Sequence, residues 1–191
     1  MALVVITGAA RSGKSAAAQR VAQARSRVGA RVVVAVFGQA EGDPEFAERI
    51  ERHRNGRPEG FRTLEASDLR TWRESVNDDD LLVVECLGTL AGLVMREAGT
   101  DADEAHLESS LDSALADFVS WVVHRRGDTI VVTNETGWGV VPAFASGRVF
   151  RDALGRANAT LVTVADASYL AMGGRLLDLA ALPRDVTWPS E

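Results

Sequence analysis

The sequence predicts a doubly wound α/β fold with a mostly parallel sheet. Continuous apolar runs rich in β-branched residues recur along the chain, which is typical of strands buried on both faces of such a sheet. Segments with apolar residues three or four positions apart separate these runs and predict helices. At 191 residues, the chain fits one domain over residues 1–191 with enough length for a substantial core.

The first apolar run, residues 2–7, leads into a glycine-rich loop that fits G-x-x-x-x-G-K-[ST]. Gly8 and Gly13 let the backbone curl so that successive N–H groups converge on phosphate oxygens. Lys14 can reach the β- and γ-phosphates, and the Ser15 hydroxyl can bind Mg²⁺. The sequence therefore predicts a P-loop NTPase-like fold that binds a nucleoside triphosphate; the alternative is a turn without a ligand. The loop reads Gly8, Ala9, Ala10, Arg11, Ser12, Gly13, Lys14, Ser15.

The next elements follow the same alternation. A helix is predicted from residue 14 to about 25, and residues 31–37 form a second buried strand. Asp43 as N-cap and Pro44 at the first helical position then start a helix that reaches about residue 54. Residues 61–65 indicate a short strand, and residues 67–76 indicate a further helix.

The apolar run 81–84 ends in Glu85 and predicts a strand that delivers a carboxylate to the C-terminal edge of the sheet. Ligands of open α/β sheets bind at that edge, and P-loop proteins place a Mg²⁺-associated acid there, usually Asp. A chance acid at a strand end is the alternative interpretation. Helices are predicted over 87–97 and from about 104 to 125, the second with an amphipathic pattern.

The C-terminal third contains one more buried strand, residues 129–135, which ends in polar side chains at the same expected edge. A helix is predicted over 146–158, followed by a further apolar run at 161–164. Two short strands, 168–172 and 175–179, flank Gly173 and Gly174, a pair that favours a hairpin turn. The fold is thus expected to carry an antiparallel ribbon at its C-terminal side.

The segment 49–62 is basic within an acidic protein. It suits a solvated helix end or a site for phosphate groups, and composition alone leaves both open. His53 lies near the apolar stripe of the predicted helix, and this spacing favours a packed side chain over a catalytic one. The arginines of the segment are Arg49, Arg52, Arg54, Arg57 and Arg62.

Bulk composition excludes several classes of protein. A net charge of −6 argues against a general nucleic-acid binder, and no apolar stretch approaches the ~20 residues of a membrane helix. The single cysteine, Cys86, excludes an intramolecular disulfide and suits a reducing cytoplasm. The N-terminus carries no secretory signal pattern. We therefore expect a cytoplasmic enzyme or binding module that acts on small molecules.

Several stretches agree in order and spacing with one known family over most of the chain. They are residues 11–15 of the loop, 45–54, 61–65, 83–86, 132–142, and 150–152 with 155–158. On these residues the chain resembles the bifunctional adenosylcobinamide kinase/adenosylcobinamide-phosphate guanylyltransferase family of cobalamin biosynthesis. This agreement is far more specific than a P-loop alone.

The resemblance implies two reactions. The hydroxyl of the aminopropanol arm of adenosylcobinamide first takes the γ-phosphate of ATP or GTP. A histidine then attacks the α-phosphate of GTP, expels pyrophosphate and passes GMP to the cobinamide phosphate. His53 occupies the histidine position of the family's second motif, so the resemblance implies that it is the guanylylated residue. This replaces the interpretation of His53 as a packed side chain, which its spacing along the helix favours. A neutral imidazole is a competent nucleophile near pH 7.

The resemblance also implies nucleotide contacts beyond the P-loop, and a homo-oligomer, with a trimer suggested. This chain lacks the hydroxyl-bearing stretch that family members commonly carry after the second strand. Mg²⁺ would be held by Ser15 and Glu85. The implied contacts outside the P-loop are Phe37, Gly38, Gln39, Arg54, Asn55, Gly56, Arg57, Glu65 and Glu85.

Two other functions are compatible with the sequence. A P-loop kinase for a different small alcohol would use Lys14, Ser15 and Glu85 without a covalent intermediate. A non-catalytic nucleotide-binding module would bind GTP or ATP without transfer, but it has no need of an arginine cluster around a histidine.

Overall fold

The computed structural model describes residues 1–37, 48, 51, 56–69 and 71–185. Within this part of the chain, seven strands form one sheet in the order β3-β2-β4-β5-β1-β6-β7. The strands are β1 Leu3–Gly8, β2 Arg31–Phe37, β3 Arg62–Ala66, β4 Asp80–Glu85, β5 Thr129–Val132, β6 Ala167–Met172 and β7 Arg175–Asp178.

Six of these strands run parallel, from β3 to β6 across the sheet. The last strand, β7, runs antiparallel to β6 through a tight turn at Gly173 and Gly174, both of which have positive φ. The doubly wound, mostly parallel sheet and its C-terminal antiparallel ribbon are therefore confirmed. Strand β1, which carries the glycine-rich loop, lies between β5 and β6.

Helices cover both faces of the sheet. On one face, α1 (Lys14–Arg27) buries Ala17, Ala18 and Ala22 against strand residues such as Ile6 and Val132. The opposite face packs against α2 (Leu87–Ala98), α3 (Glu104–His124) and α4 (Ala145–Val164). Neighbouring residues of one strand belong to different apolar clusters because successive side chains point to opposite faces. The strands β1, β2, β4 and β5 are mostly buried on both sides, as their continuous apolar runs predict.

The prediction of a helix over residues 67–76 is wrong. The structure has turns there and a short 3₁₀ helix, Trp72–Ser75. The Asp68 carboxylate accepts hydrogen bonds from the amide and the hydroxyl of Thr71, at 2.9 and 2.8 Å. Such a side chain offers the backbone an alternative to helical hydrogen bonds. The buried Trp72 ring then packs edge-on to Phe37, with a centroid distance of 5.0 Å, and anchors the turn to the core.

The helix predicted over residues 146–158 is longer than expected. It runs as α4 to Val164, so the apolar run 161–164 forms its last turn. The hydroxyls of Thr160 and Thr163 donate to the carbonyl oxygens of Arg156 and Ala159, one turn earlier. Leu161 is fully buried in the core, which favours continuation of the helix, and the threonine hydroxyls satisfy their hydrogen bonds within it.

The predicted helix over 44–54 falls on a segment of which only residues 48 and 51 are described, both of them helical. None of the helices in the described residues is long and apolar enough to cross a membrane.

Candidate nucleotide and acceptor site

The glycine-rich loop leaves the C-terminal end of β1 at Gly8 and enters α1 at Lys14. Gly13, the N-cap of α1, has a φ of 97°, and Gly8 has a φ of 154°. A Cβ atom on Gly8 would lie 2.5 Å from the carbonyl oxygen of Ala171, so only glycine fits there. The first turn of α1 therefore directs its unpaired N–H groups and the positive end of its dipole at the loop.

Two polar side chains of the loop, Ser12 and Lys14, are buried within it. Lys14 is buried, and its Nζ donates to the carbonyl oxygen of Ala9 across 3.0 Å, which folds the ammonium group over the loop. The buried hydroxyl oxygen of Ser12 has no hydrogen-bond partner among the described residues. A buried polar atom without a partner carries a free-energy cost that a phosphate oxygen would remove. The loop therefore fits an anion.

The two acids named from the sequence lie in one row across the sheet. Val36 of β2 pairs with Glu65 of β3 on one side and with Glu85 of β4 on the other. In the same row, Glu85 pairs with Val132, which packs against α1. Both carboxylates therefore share the α1 face at the C-terminal edge, with backbones about 10 Å apart across β2.

The oxygen donors at this edge fit Mg²⁺. Ser15 lies in the first turn of α1, and Glu85 ends β4. A hydroxyl and a carboxylate are hard ligands, and Mg²⁺ prefers one or two such groups together with waters and substrate phosphates. In the described part of the chain, no group of three or more His, Cys, Asp or Glu side chains could hold a metal ion.

The remaining sequence-predicted site residues divide between described and undescribed parts. Phe37 is buried against Trp72, so any contact with a nucleotide would come from its backbone. Gly56 is exposed, and Arg57 donates from Nη1 to the Thr63 hydroxyl across 2.8 Å, which holds it against β3. Gly38, Gln39, His53, Arg54 and Asn55 lie outside the described residues.

A polar cluster beside the P-loop was not assigned a role from the sequence. The Thr7 hydroxyl donates to Glu135 Oε1 across 2.5 Å, and the Glu135 amide donates to the carbonyl oxygen of Gly8 across 3.1 Å. The Asn158 side chain of α4 accepts from the Thr133 hydroxyl at 2.6 Å and donates to the carbonyl oxygen of Asn134. Polar residues directly after the buried strand β5 were the sequence signal for this cluster. The residues that they bond to lie far away in the sequence, so no local pattern predicts these hydrogen bonds.

The loop after Glu135 exposes several large apolar side chains. Among them are Trp138, Val140, Val141 and Phe144. The edge that carries the P-loop therefore also presents apolar surface.

Known proteins resemble this chain over most of its length. The family model described as cobinamide kinase / cobinamide phosphate guanyltransferase matches residues 4–179. The bifunctional adenosylcobalamin biosynthesis protein CobU of Escherichia coli K12 is 30% identical over 184 residues, which cover 90% of this chain and 96% of that protein. CobU of Salmonella typhimurium LT2 is 31% identical with the same coverage. The corresponding protein CobP of Pseudomonas aeruginosa PAO1 is 34% identical over 154 residues, 79% of this chain and 82% of the relative.

Among solved structures, the crystal structure of a KaiC-like protein from Pyrococcus horikoshii OT3 is similar to 88% of this chain, which matches 70% of that protein. Its TM-score is 0.47 and its sequence identity is 14%.

Proposed function

This chain belongs to the cobinamide kinase / cobinamide phosphate guanyltransferase family, and from that premise we propose that it catalyses both reactions, with ATP or GTP as phosphate donor and with His53 as the guanylylated residue. The family membership makes it a transferase of adenosylcobalamin biosynthesis. We propose the finer points: the identity of the phosphate donor, the covalent intermediate and the roles of single residues.

One structural observation carries the nucleotide half of the proposal. The P-loop, the first turn of α1 and the carboxylates of Glu65 and Glu85 all lie at the C-terminal edge of the sheet. Ligands of open α/β sheets bind at this edge. The triphosphate is held by loop N–H groups and by Lys14, which neutralises charge on the β- and γ-phosphates. Gly8 and the residues Gly13 to Ser15 form this phosphate-binding site.

Ser15 and Glu85 would hold Mg²⁺, and the bound ion would neutralise charge that develops on the phosphate oxygens. In the first reaction, the acceptor hydroxyl attacks the γ-phosphorus, and the nucleoside diphosphate leaves. Lys14 stabilises the charge of the transferring group and of the leaving phosphate. The exposed apolar side chains after Glu135 supply surface for a large corrinoid acceptor at the same edge.

In the second reaction, the neutral imidazole of His53 attacks the α-phosphorus of GTP. A phosphorus–nitrogen bond forms, the bond to the bridging oxygen breaks, and pyrophosphate leaves. The phosphate oxygen of cobinamide phosphate then attacks the same phosphorus and releases the imidazole. Arginines of the segment 49–62, including Arg54 and Arg57, supply positive charge for the triphosphate and the leaving pyrophosphate.

The test of this proposal is a labelling experiment with GTP that carries radioactive phosphorus at the α-position. The label is expected on the protein, labile to acid and stable to alkali, as for a phosphorus–nitrogen bond. His53→Ala should abolish the label while phosphate transfer to adenosylcobinamide survives. The chain has two other histidines, so His106→Ala and His124→Ala serve as controls that keep the label. A label that persists in His53→Ala would refute the role of His53, and a plain kinase would remain.

Two further properties belong to this proposal. We expect a homotrimer, so light scattering should give three times the chain mass of 20.4 kDa. We also expect the enzyme in the cytoplasm, where its single cysteine stays reduced.

A further inference from the structure

Glu135 lies beside the P-loop at the C-terminal edge of the sheet. Beyond the last paired residue of β5, the chain keeps its hydrogen bonds to β1: the Thr133 amide donates to Ile6 and the Glu135 amide donates to Gly8, at 3.0 and 3.1 Å. These bonds place the Glu135 backbone next to the glycine at which the phosphate-binding loop begins. The position is one strand nearer to the loop than Glu85, because β5 separates β4 from β1.

The carboxylate of Glu135 is fixed through one of its two oxygens. Oε1 accepts the Thr7 hydroxyl at 2.5 Å and, more weakly, the Asn158 amide at 3.5 Å. The other oxygen, Oε2, accepts no hydrogen bond from any residue that the structure describes. Glu135 is half-buried, and its Oε2 is not among the buried polar atoms that lack a partner in the described part of the chain, so this oxygen is accessible. A carboxylate oriented through one oxygen, with the other one open, is suited to accept a proton.

Glu135 and Glu85 occupy opposite faces of the sheet. Glu85 shares its row with Ile6 and Val132, which pack against α1. Glu135 is bonded to Thr7, the neighbour of Ile6 on the other face, and to Asn158 of α4. The two carboxylates therefore approach the end of β1 from two sides. Glu85 thus lies on the side of α1, whereas Glu135 lies on the side of α4.

We propose that Glu135 is the catalytic base of the kinase reaction and that its Oε2 takes the proton of the acceptor hydroxyl. This inference rests on the proposed cobinamide kinase activity. The hydroxyl oxygen bonds to the γ-phosphorus, the bond from that phosphorus to the bridging oxygen breaks, and the nucleoside diphosphate leaves with that electron pair. The hydroxyl proton passes to Glu135, which releases it to water after the product departs. Positioned bases of this kind contribute roughly 10²- to 10⁴-fold to rate.

A purely structural role for Glu135 makes a different prediction. The bonds to Thr7 and Asn158 need only an oxygen acceptor at Oε1, which a glutamine also supplies. Glu135→Gln therefore retains the contacts that tie β5 to the loop and removes only the ability to take a proton. A structural role would leave this variant active in both reactions or, if the loop is disturbed, would lower both together.

The experiment measures the two reactions separately in the same sample of Glu135→Gln. Phosphate transfer to adenosylcobinamide is followed with the γ-labelled nucleotide. Guanylyl transfer is followed with GTP and adenosylcobinamide phosphate supplied directly, so that it does not depend on the first reaction. Glu74→Gln is the control, because Glu74 is exposed and lies in the 3₁₀ helix Trp72–Ser75. This helix lies away from the P-loop edge, since the carbonyl oxygen of Ser75 accepts a hydrogen bond from Arg62 at the start of β3.

The expected result is a loss of kinase kcat of about 10²-fold or more, with guanylyl transfer and the Kd for GTP within about threefold of wild type. Kinase activity of Glu135→Gln within about threefold of wild type would overturn the proposal. A parallel loss of both reactions would overturn it too, because Glu135 would then act only on the loop. Wild-type protein that does not phosphorylate adenosylcobinamide would instead refute the proposed function itself.

Discussion

The backbone N–H of Gly174 donates a hydrogen bond of 3.0 Å to the carbonyl oxygen of Ser12. The turn between β6 and β7 thus lies directly against the phosphate-binding loop. The approach is close: a Cβ atom on Gly13 would lie 3.2 Å from the Cα of Gly174. The C-terminal hairpin, which carries none of the predicted site residues, therefore supports the shape of the loop.

We expect Gly174→Ala to weaken nucleotide binding. Gly174 has a φ of 76°, where alanine costs about 1–2 kcal/mol, and a distorted turn would withdraw its N–H from Ser12. Gly29→Ala is the matched control, because Gly29 has a φ of 99° and, like Gly174, space around its Cβ position. Both variants should lose similar stability in thermal melts, but only Gly174→Ala should raise the Kd for GTP. Equal affinities would contradict the supporting role of the hairpin.

Lys14 is the only lysine in the chain, which permits a direct test of its position. An acyl-phosphate derivative of GTP delivers its acyl group to an amine beside the bound phosphates. We expect mass spectrometry to find the acyl group on Lys14, and excess GTP with Mg²⁺ to prevent the reaction. Lys14→Arg keeps the positive charge and should carry no label at residue 14. A label confined to the N-terminal amine of the wild type would contradict the assigned position of Lys14.

Arg125 connects several elements at the N-terminal edge of the sheet, opposite the P-loop. Its side chain is 5% exposed and donates to the carbonyl oxygens of Asn77, Asp80 and Asp128 and to the Thr129 hydroxyl. These acceptors belong to the starts of β4 and β5, so one guanidinium joins two strands to the end of α3. Buried acceptors that lose such a donor carry a free-energy cost.

We therefore expect Arg125→Ala to destabilise the protein by about 3–5 kcal/mol, because several buried acceptors lose their donor at about 1–3 kcal/mol each. For a chain of this size the melting temperature should fall by about 10 °C. The adjacent Arg126 is exposed and has no hydrogen bond to the described residues, so Arg126→Ala is the control. Differential scanning calorimetry of both variants gives the comparison. Similar melting temperatures for the two variants would show that the buried contacts do not stabilise the fold.

Asp128 makes stability depend on pH. Partial burial by itself raises the pKa of Asp128, but hydrogen bonds from Arg25 and from the Ala2 amide outweigh it, and the net pKa lies below its ordinary value. A carboxyl with a depressed folded pKa stabilises the fold above its unfolded pKa of about 4 and loses this contribution as pH falls through the folded value.

Asp128→Asn should accordingly lower the free energy of unfolding at pH 7, and the difference from wild type should shrink toward pH 3. Urea denaturation at pH 7, 5 and 3 measures this trend. Asp101→Asn, at an exposed carboxylate with no hydrogen bond to the described part of the chain, should show no such trend. A difference between Asp128→Asn and wild type that is constant over this pH range would exclude the mechanism.

Local patterns predicted most of the fold. The apolar runs at 31–37 and 81–85 became β2 and β4, and Gly173-Gly174 became the hairpin turn, because backbone preference and burial agree in these segments. The strand predicted over 129–135 ends early, at Val132. The other two failures are the helix at 67–76 and the end of α4, and both involve side-chain hydrogen bonds to the backbone. Asp68 bonds to Thr71 in place of helical hydrogen bonds, whereas Thr160 and Thr163 bond within the helix.

The phosphate-binding loop, the strand-and-helix alternation and the family follow from the amino-acid sequence, because each depends on residues that are neighbours along the chain. Which distant groups meet follows only from the three-dimensional packing. Parallel pairing through Val36 put Glu65 and Glu85 in one row, and the insertion of β5 beside β1 brought Glu135 to Thr7. Strand order is set by how the whole core packs, so no local pattern could reveal these partners.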